Sequence, residues 1–207
     1  LLKDMTPADW QSVSESLARG GLACLPSDTV YGLACLPQST AAVKRVYEVK
    51  GRGFDKPLAM AFRDTGEVFR LIPGLPAPVR AAVGKLLPGP VTIIIPVSSG
   101  ELAGLDIIRA GSAGVRVISP PADELHRRLP SPLAFTSANL SGEPDPVSAD
   151  EIPGAIKEAS DFIIDGGPTR HRRSSTIVDL RLLAEGGGPR VIREGPLSRA
   201  DIEALLG

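Results

Sequence analysis

Glycine and proline set the first limit on this chain. Together they make up about a fifth of it, twenty-two glycines and twenty prolines among 207 residues, and they form neither repeats nor a low-complexity block. They lie between periodic segments, so they mark turns and places where backbone must pass close to something else. The chain is therefore built of short elements. Its longest apolar stretch, Val91 to Val97, is already interrupted by Pro96, far short of the ~18–20 residues a membrane span needs.

The segments between these breaks alternate in type. Thr6-Pro7 reads as an N-cap with proline at the first helical position, followed by Trp10, Val13 and Leu17 at helical spacing, and Gly20-Gly21 stops the helix. Leu22 to Leu25 and Val30 to Leu36 read as strands, separated by the polar Ser27-Asp28-Thr29. A second helix starts at Ser39 and runs into Lys50-Gly51-Arg52-Gly53. Further strands are predicted at 57–62, 91–97, 114–118, 133–136, 162–164, 176–180 and 190–193. Helices are predicted at 64–71, 78–87 and 121–129, from a capping-box pattern at Ser148 to Glu151, and from Ser198 to Leu206. Some strands follow each other with only a turn between. The pattern predicts one α/β domain over residues 1–207, a twisted mixed sheet of parallel and antiparallel strands with helices outside.

Composition narrows the function. Hydrophobic residues at 43% suffice for a core, which excludes a disordered chain. A net charge of −1 and 4% aromatics poorly supply a nucleic-acid surface. The N-terminal Leu1 to Asp4 does not read as a signal peptide. Cys24 and Cys35 sit in apolar runs without metal or disulfide spacing and read as buried small hydrophobes, suited to a reducing cytoplasm. His126, beside Arg127, reads as a surface residue.

Polar residues with chemical potential gather at strand ends. Lys50, Arg52 and Lys56 put three cations on a glycine-broken loop, which is either a solvated basic turn or a clamp for polyphosphate, exposed either way. Arg116 lies between valines in an apolar strand and needs an anion. That anion is a structural salt bridge or a ligand carboxylate or phosphate. Asn139, just beyond a strand with Ser137, either caps a turn or binds a nucleotide. The loop Thr169 to Ser174, with Arg170, Arg172 and Arg173 around His171, reads as a mobile lid, a partner contact or a plain solvated loop. There is no GxxxxGK[ST] loop, no GxGxxG, no GxSxG and no HExxH, so neither covalent catalysis nor a dedicated metal site is expected.

Seven stretches, taken in order, resemble one family. They are Ser27-Asp-Thr-Val-Tyr-Gly-Leu33, Lys50-Gly-Arg52 with Lys56-Pro-Leu58, Pro88-Gly-Pro-Val-Thr92, Gly114-Val-Arg-Val117, Thr136-Ser-Ala-Asn-Leu-Ser-Gly142, Ser175-Thr-Ile-Val-Asp179 and Ile192-Arg-Glu-Gly195. This is the pattern of the YrdC/Sua5 family, and the likeness runs from about Leu22 to Gly195, in the short single-domain form. The resemblance implies a concave positive cleft and synthesis of threonylcarbamoyl-AMP from ATP, L-threonine and bicarbonate. The product would pass to a tRNA-modifying threonylcarbamoyltransferase. It implies ATP contacts at Lys50, Arg52, Lys56, Ser112, Ser137, Asn139, Ser175 and Arg193, with Lys50 and Arg52 catalytic. Thr29 and Arg116 would hold threonine, and Mg²⁺ would arrive with ATP.

The sequence departs from the family pattern at three places. Ala61 stands where many members carry His, Ile118-Ser119 follows Val117 in place of Pro-Asp or Pro-Asn, and Asp145 replaces a usual Ser. Two alternatives remain, an RNA-binding module of the same fold and a carbamoyl-transfer domain like that of hydrogenase maturation. The balanced charge disfavours the first, and the absence of zinc-finger-like Cys pairs disfavours the second.

Overall fold

The computed structural model describes residues 4–98, 100, 102, 104–108 and 110–207. Helix α1 (Pro7–Ala18) is closed at its start by a capping box between Thr6 and Asp9 and buries Trp10, Val13 and Leu17. Strands β1 (Ala23–Leu25) and β2 (Gly32–Cys35) follow, then α2 (Thr40–Lys50), capped by Ser39. Next come β3 (Ala59–Phe62), α3 (Thr65–Leu71), α4 (Ala77–Leu86), β4 (Val91–Pro96) and β5 (Ser112–Val117). The chain continues through α5 (Asp123–Arg127), β6 (Leu133–Ser137), α6 (Gly154–Ala159), β7 (Phe162–Ile163) and β8 (Thr176–Asp179). A 3-10 helix at Arg181–Glu185, unannounced in the sequence, precedes β9 (Arg190–Arg193) and α7 (Arg199–Leu206).

The strands form a single mixed sheet in the order β7-β1-β2-β6-β3-β5-β4-β8-β9. β1 with β7, β3 with β5 and β4 with β8 run parallel, and the other neighbours run antiparallel. This is the mixed α/β architecture that the alternation of elements predicts.

The two faces of the sheet are covered unequally. In β4, Val91, Ile93 and Ile95 are buried while Thr92 and Ile94 are only half-buried. The buried set joins Met60, Phe62, Val115 and Val178 in the larger core, against α2, α3, α4, α6 and α7. On the opposite face, α1 and α5 cover only part of the sheet, around Ala34, Ala61, Leu133 and Phe135. The rest of that face, across β5, β4 and β8, is left open. Alternation of side chains along each strand makes this possible, since successive residues point to opposite faces.

Two sequence readings are corrected. No helix starts at Ser148. The Glu151 carboxylate accepts from Val147 N at 2.8 Å, and the segment closes as a turn through Glu151 N to Ser148 O at 3.3 Å. Pro153 disfavours helix at Ile152, and α6 starts only beyond it. His126 is not on the surface. It is 5% exposed, its Nε2 lies 3.0 Å from Pro26 O, and its ring meets Phe135 edge-on. Arg127 and Arg128 turn outward instead, to Asp123 and Glu124. Both cysteines are buried, and burial pushes the Cys35 thiol up to about 12 and raises Cys24 as well. Among the described residues no helix is long and apolar enough to cross a membrane.

Burial drives His126 down to about 4, helped by the neighbouring Arg116 charge, so the native ring is neutral at pH 7. Below its ordinary value near 6.5 the unfolded chain takes up a proton that the native state refuses. Stability is therefore intact above that pH and falls as the pH drops towards 4. Between pH 7 and 4.5 this group should cost roughly 2–3 kcal/mol. Urea unfolding at the two pH values should show that loss, and His126→Gln, which can still donate to Pro26 O, should remove most of it. An equal acid loss in both proteins would contradict the assignment.

Candidate active site

The open part of the sheet face forms a cleft of about 650 Å³ including its mouth. Six of the predicted residues line it: Thr29, Arg52, Arg116, Ser137, Ser175 and Arg193. Thr92 and Ser174 also line it, with Phe135 and Ile177 as apolar floor. The sequence reading gave these no role, although Ser174 stands in the polar group Ser174-Ser-Thr176 at a strand end and Thr92 and Ile177 lie in the family-like stretches. Their strand alternation was the available signal, since Thr92 and Ile177 are on the opposite face from the buried Val91, Ile93 and Val178.

At one end sits Arg116, on β5, 5% exposed. Its Nη2 donates to Asp28 Oδ1 at 2.7 Å and to Thr29 Oγ1 at 3.1 Å. The Asp28 side chain is fully buried, and its Oδ2 accepts from Ser119 N and Ser119 Oγ at 3.1 and 2.7 Å. Arg116 therefore has the structural counter-ion that one of its two readings required. It also lines the cleft, and its buried Nε has no hydrogen-bond partner. A buried donor without a partner is costly, so this edge of the guanidinium is ready for an anion. Thr29 shares a hydrogen bond with Ser27 Oγ at 3.0 Å, which holds its hydroxyl towards Arg116. Ala61 pairs with Arg116 across β3 and β5, and its side chain lies in the smaller core.

At the other end are Arg52 and Arg193. Arg193 donates from Nε and Nη2 to Ser175 O at 3.1 and 2.8 Å, and Ser175 Oγ lies 2.9 Å from Thr92 Oγ1. Gly195 lets the β9 exit approach this loop, since a Cβ there would fall 2.2 Å from Ser174 O. Arg52 donates to Lys56 O at 2.9 Å and to Pro57 O at 3.2 Å, which holds it against its own loop. Burial lowers the pKa of both arginines from the usual range. Asp145 accepts from Ser174 Oγ at the edge of this end. Asp28 neutralises Arg116, while Arg52 and Arg193 donate only to uncharged partners, backbone carbonyls and the Ser175 hydroxyl. The cleft is thus polarised, with more net positive charge at the Arg52–Arg193 end.

Lys50, Lys56, Ser112 and Asn139 do not line the cleft. Lys50 was expected on an exposed loop, yet it is 1% exposed. It ends α2, and Gly51 takes a left-handed φ of 59°, so that Lys50 turns in while Arg52 turns out. Its ammonium donates to Ser137 O, Asn139 O and Asn139 Oδ1 at 2.5, 2.6 and 2.9 Å. Burial and the Arg52 charge bring Lys50 down to about 8, and with three acceptors around it the ammonium stays charged at neutral pH. Asn139 Oδ1 also accepts from Ser137 Oγ, and its Nδ2 donates to Glu143 O. Lys50 and Asn139 are therefore a buried brace that shapes the β6 exit, on which Ser137 faces the cleft. Lys56 is exposed, and Ser112 lies at the far end of β5 from Arg116.

The loop expected as a lid is tied to the site. Thr169 Oγ1 donates to Thr29 O at 2.8 Å, His171 N to Asp28 O at 3.0 Å, and Arg173 to Glu194 O at 3.3 Å. Among the described residues no three His, Cys, Asp or Glu side chains gather to hold a metal ion.

The Sua5/YciO/YrdC model, described as "Telomere recombination", matches residues 15–195. The chain belongs to this family. The Sua5/YciO/YrdC chain described here is 31% identical to the threonylcarbamoyl-AMP synthase of Bacillus subtilis over 92% of its length. It is 34% identical to that of Mus musculus over 86%. It spans 54% and 64% of those two proteins. A solved structure of Pyrococcus abyssi Sua5 complexed with L-threonine superposes with a TM-score of 0.83 at 28% identity, covering 98% of this chain and 58% of that one. Escherichia coli YciO shares the fold, with a TM-score of 0.76 at 24% identity, 93% of this chain and 91% of that one being covered.

Two substitutions separate the brace from the cleft wall. Lys50→Ala takes its donor from the buried carbonyls of Ser137 and Asn139 and leaves Asn139 Oδ1 with Ser137 Oγ alone, each unsatisfied carbonyl costing about 1–3 kcal/mol. It should lose at least about 3 kcal/mol of unfolding free energy, while Arg52→Ala should lose less than about 1 kcal/mol. Both should weaken binding of an ATP analogue, Arg52→Ala directly and Lys50→Ala by disordering the β6 exit. Equal stability of the two variants in urea would show that the brace does not work as described.

Proposed function

We propose that the chain is an L-threonylcarbamoyladenylate synthase, a nucleotidyltransferase acting in the cytoplasm. It would form threonylcarbamoyl-AMP and pyrophosphate from L-threonine, bicarbonate or CO₂, and ATP. The product would serve a threonylcarbamoyltransferase that makes threonylcarbamoyladenosine in tRNA. The observation that carries this reading is Arg116 in the cleft wall with a buried Nε that has no hydrogen-bond partner, beside Thr29 and across from Arg52 and Arg193. A planar arginine edge suits one carboxylate, and the end with more net positive charge suits a polyphosphate.

In this reading Arg116 and Thr29 seat threonine by its carboxylate. Its neutral amine attacks CO₂, forming a C–N bond and releasing a proton, or attacks bicarbonate, where the amine proton leaves with the displaced hydroxide as water. One carbamate oxygen then attacks the α-phosphorus of ATP, and the bond to the β-phosphate oxygen breaks, releasing pyrophosphate. Both reactants are anions that repel each other. The protein's contribution is to hold them together and to stabilise charge moving onto the leaving group, through Arg52 and Arg193 with Ser137 and Ser175 hydroxyls nearby. No covalent enzyme intermediate is required. Mg²⁺ would enter with the nucleotide, offsetting phosphate charge. The donor set here, a single Asp145 carboxylate beside Ser174, fits an ion carried on phosphate rather than one resident in the protein.

Incubation with ATP, bicarbonate and L-threonine should yield threonylcarbamoyl-AMP and pyrophosphate, both dependent on threonine. Pyrophosphate released equally without threonine would contradict the proposal. Arg116→Lys keeps the charge but loses the fork, so it should weaken threonine binding at least tenfold and leave ATP-analogue binding within about threefold. Calorimetric titrations with each ligand check this, and collapse of nucleotide binding alone would reassign Arg116 to ATP.

A further inference from the structure

Arg116 is aimed in part by residues that do not line the cleft, Asp28 and Ser119. Its guanidinium is planar, and two partners on Nη2 fix its rotation. One of these is Asp28 Oδ1, and a carboxylate bonded through one oxygen alone can pivot. Asp28 is prevented from pivoting by its other oxygen, which takes both the backbone N–H and the hydroxyl of Ser119. Ser119 lies three residues beyond Arg116 on the same chain exit, so the cation and the group that steadies its counter-ion are placed together.

We propose that Ser119 is a positioning residue: by holding Asp28 Oδ2 it keeps the Arg116 guanidinium presented to the cleft, and so sets affinity for the amino-acid carboxylate without contacting substrate. The proposal rests on the reading of Arg116 as the carboxylate site. Its reach is limited to one end of the cleft, because neither Ser119 nor Asp28 touches Arg52, Arg193 or Ser175 in any hydrogen bond of the structure.

Ser119→Ala removes the hydroxyl and keeps the backbone donor. Ser119→Thr keeps both. Pyrophosphate release, with threonine and ATP varied separately, should show the threonine KM of Ser119→Ala raised five- to twentyfold. Its kcat and ATP KM should stay within twofold, and Ser119→Thr should return the threonine KM to near the wild-type value. A merely structural serine predicts lower thermal stability with an unchanged threonine KM, and that result would overturn the proposal, as would equal increases in both KM values. Exchange of the Arg116 Nε–H with water, followed by NMR without substrate, tests the aiming step by itself. It should be faster in Ser119→Ala than in wild type, and identical rates would refute the proposal. If the wild-type protein forms no threonine-dependent adenylate, the functional reading fails, while the exchange comparison still decides whether Ser119 positions Arg116.

Discussion

A guanidinium buried in the middle of a sheet organises this molecule. Taking Arg116 out of water is expensive, and a single neutral hydrogen bond would not compensate for it. The chain meets that cost with a second buried charge, Asp28, 2.7 Å away. The Asp28 carboxylate in turn takes donors from Ser119 at the exit of β5, and the Asp28 backbone carbonyl ties the Ser27–Thr29 turn to the loop at His171. Three stretches far apart in sequence are thereby held around one end of the cleft. The compensation leaves the buried Nε without a hydrogen-bond partner, and the proposed carboxylate site rests on that incompleteness.

The second constraint is the unequal dressing of the sheet. Five helices contribute to the core on one face, and two, α1 and the short α5, cover part of the other. A fully covered sheet would have no room for two reactants, and a bare one would expose a broad apolar surface to water. Here the uncovered strip mixes small or polar side chains such as Ala59 and Thr92 with Phe135 and Ile177, and cations are set at its two ends. The Lys50 brace belongs to the same logic. It spends a buried ammonium on three carbonyl-type oxygens so that β6 ends with Ser137 facing the cleft.

Much of the fold was legible because it rests on local rules. Thr6-Pro7, Ser39 and Ser198 cap helices where the sequence says they do, and Val91 to Pro96 forms the expected strand. The errors came where tertiary partners decide. Ser148 to Glu151 has capping-box letters, but its glutamate bonds Val147 and a proline follows. His126 and its arginine neighbours share a helix of five residues, too short for periodicity to say which side faces in. Lys50 and Arg52 look alike as neighbouring cations, yet the left-handed Gly51 between them sends one inward and one to the cleft. Nothing in the sequence distinguishes a brace from a clamp, because burial is set by where β6 ends, not by the Lys-Gly-Arg triplet. Arg116 was legible as a charge that needs an anion, but not as one that has a partner already.

The central claim is that the free edge of Arg116 receives the carboxylate of threonine while the Arg52–Arg193 end receives phosphate. A crystal structure with L-threonine and a non-hydrolysable ATP analogue tests it directly. The account predicts threonine carboxylate oxygens within hydrogen-bond distance of Arg116 Nε, with the triphosphate lying towards Arg52 and Arg193. A carboxylate bound at Arg193, or a phosphate seated on Arg116, would contradict it.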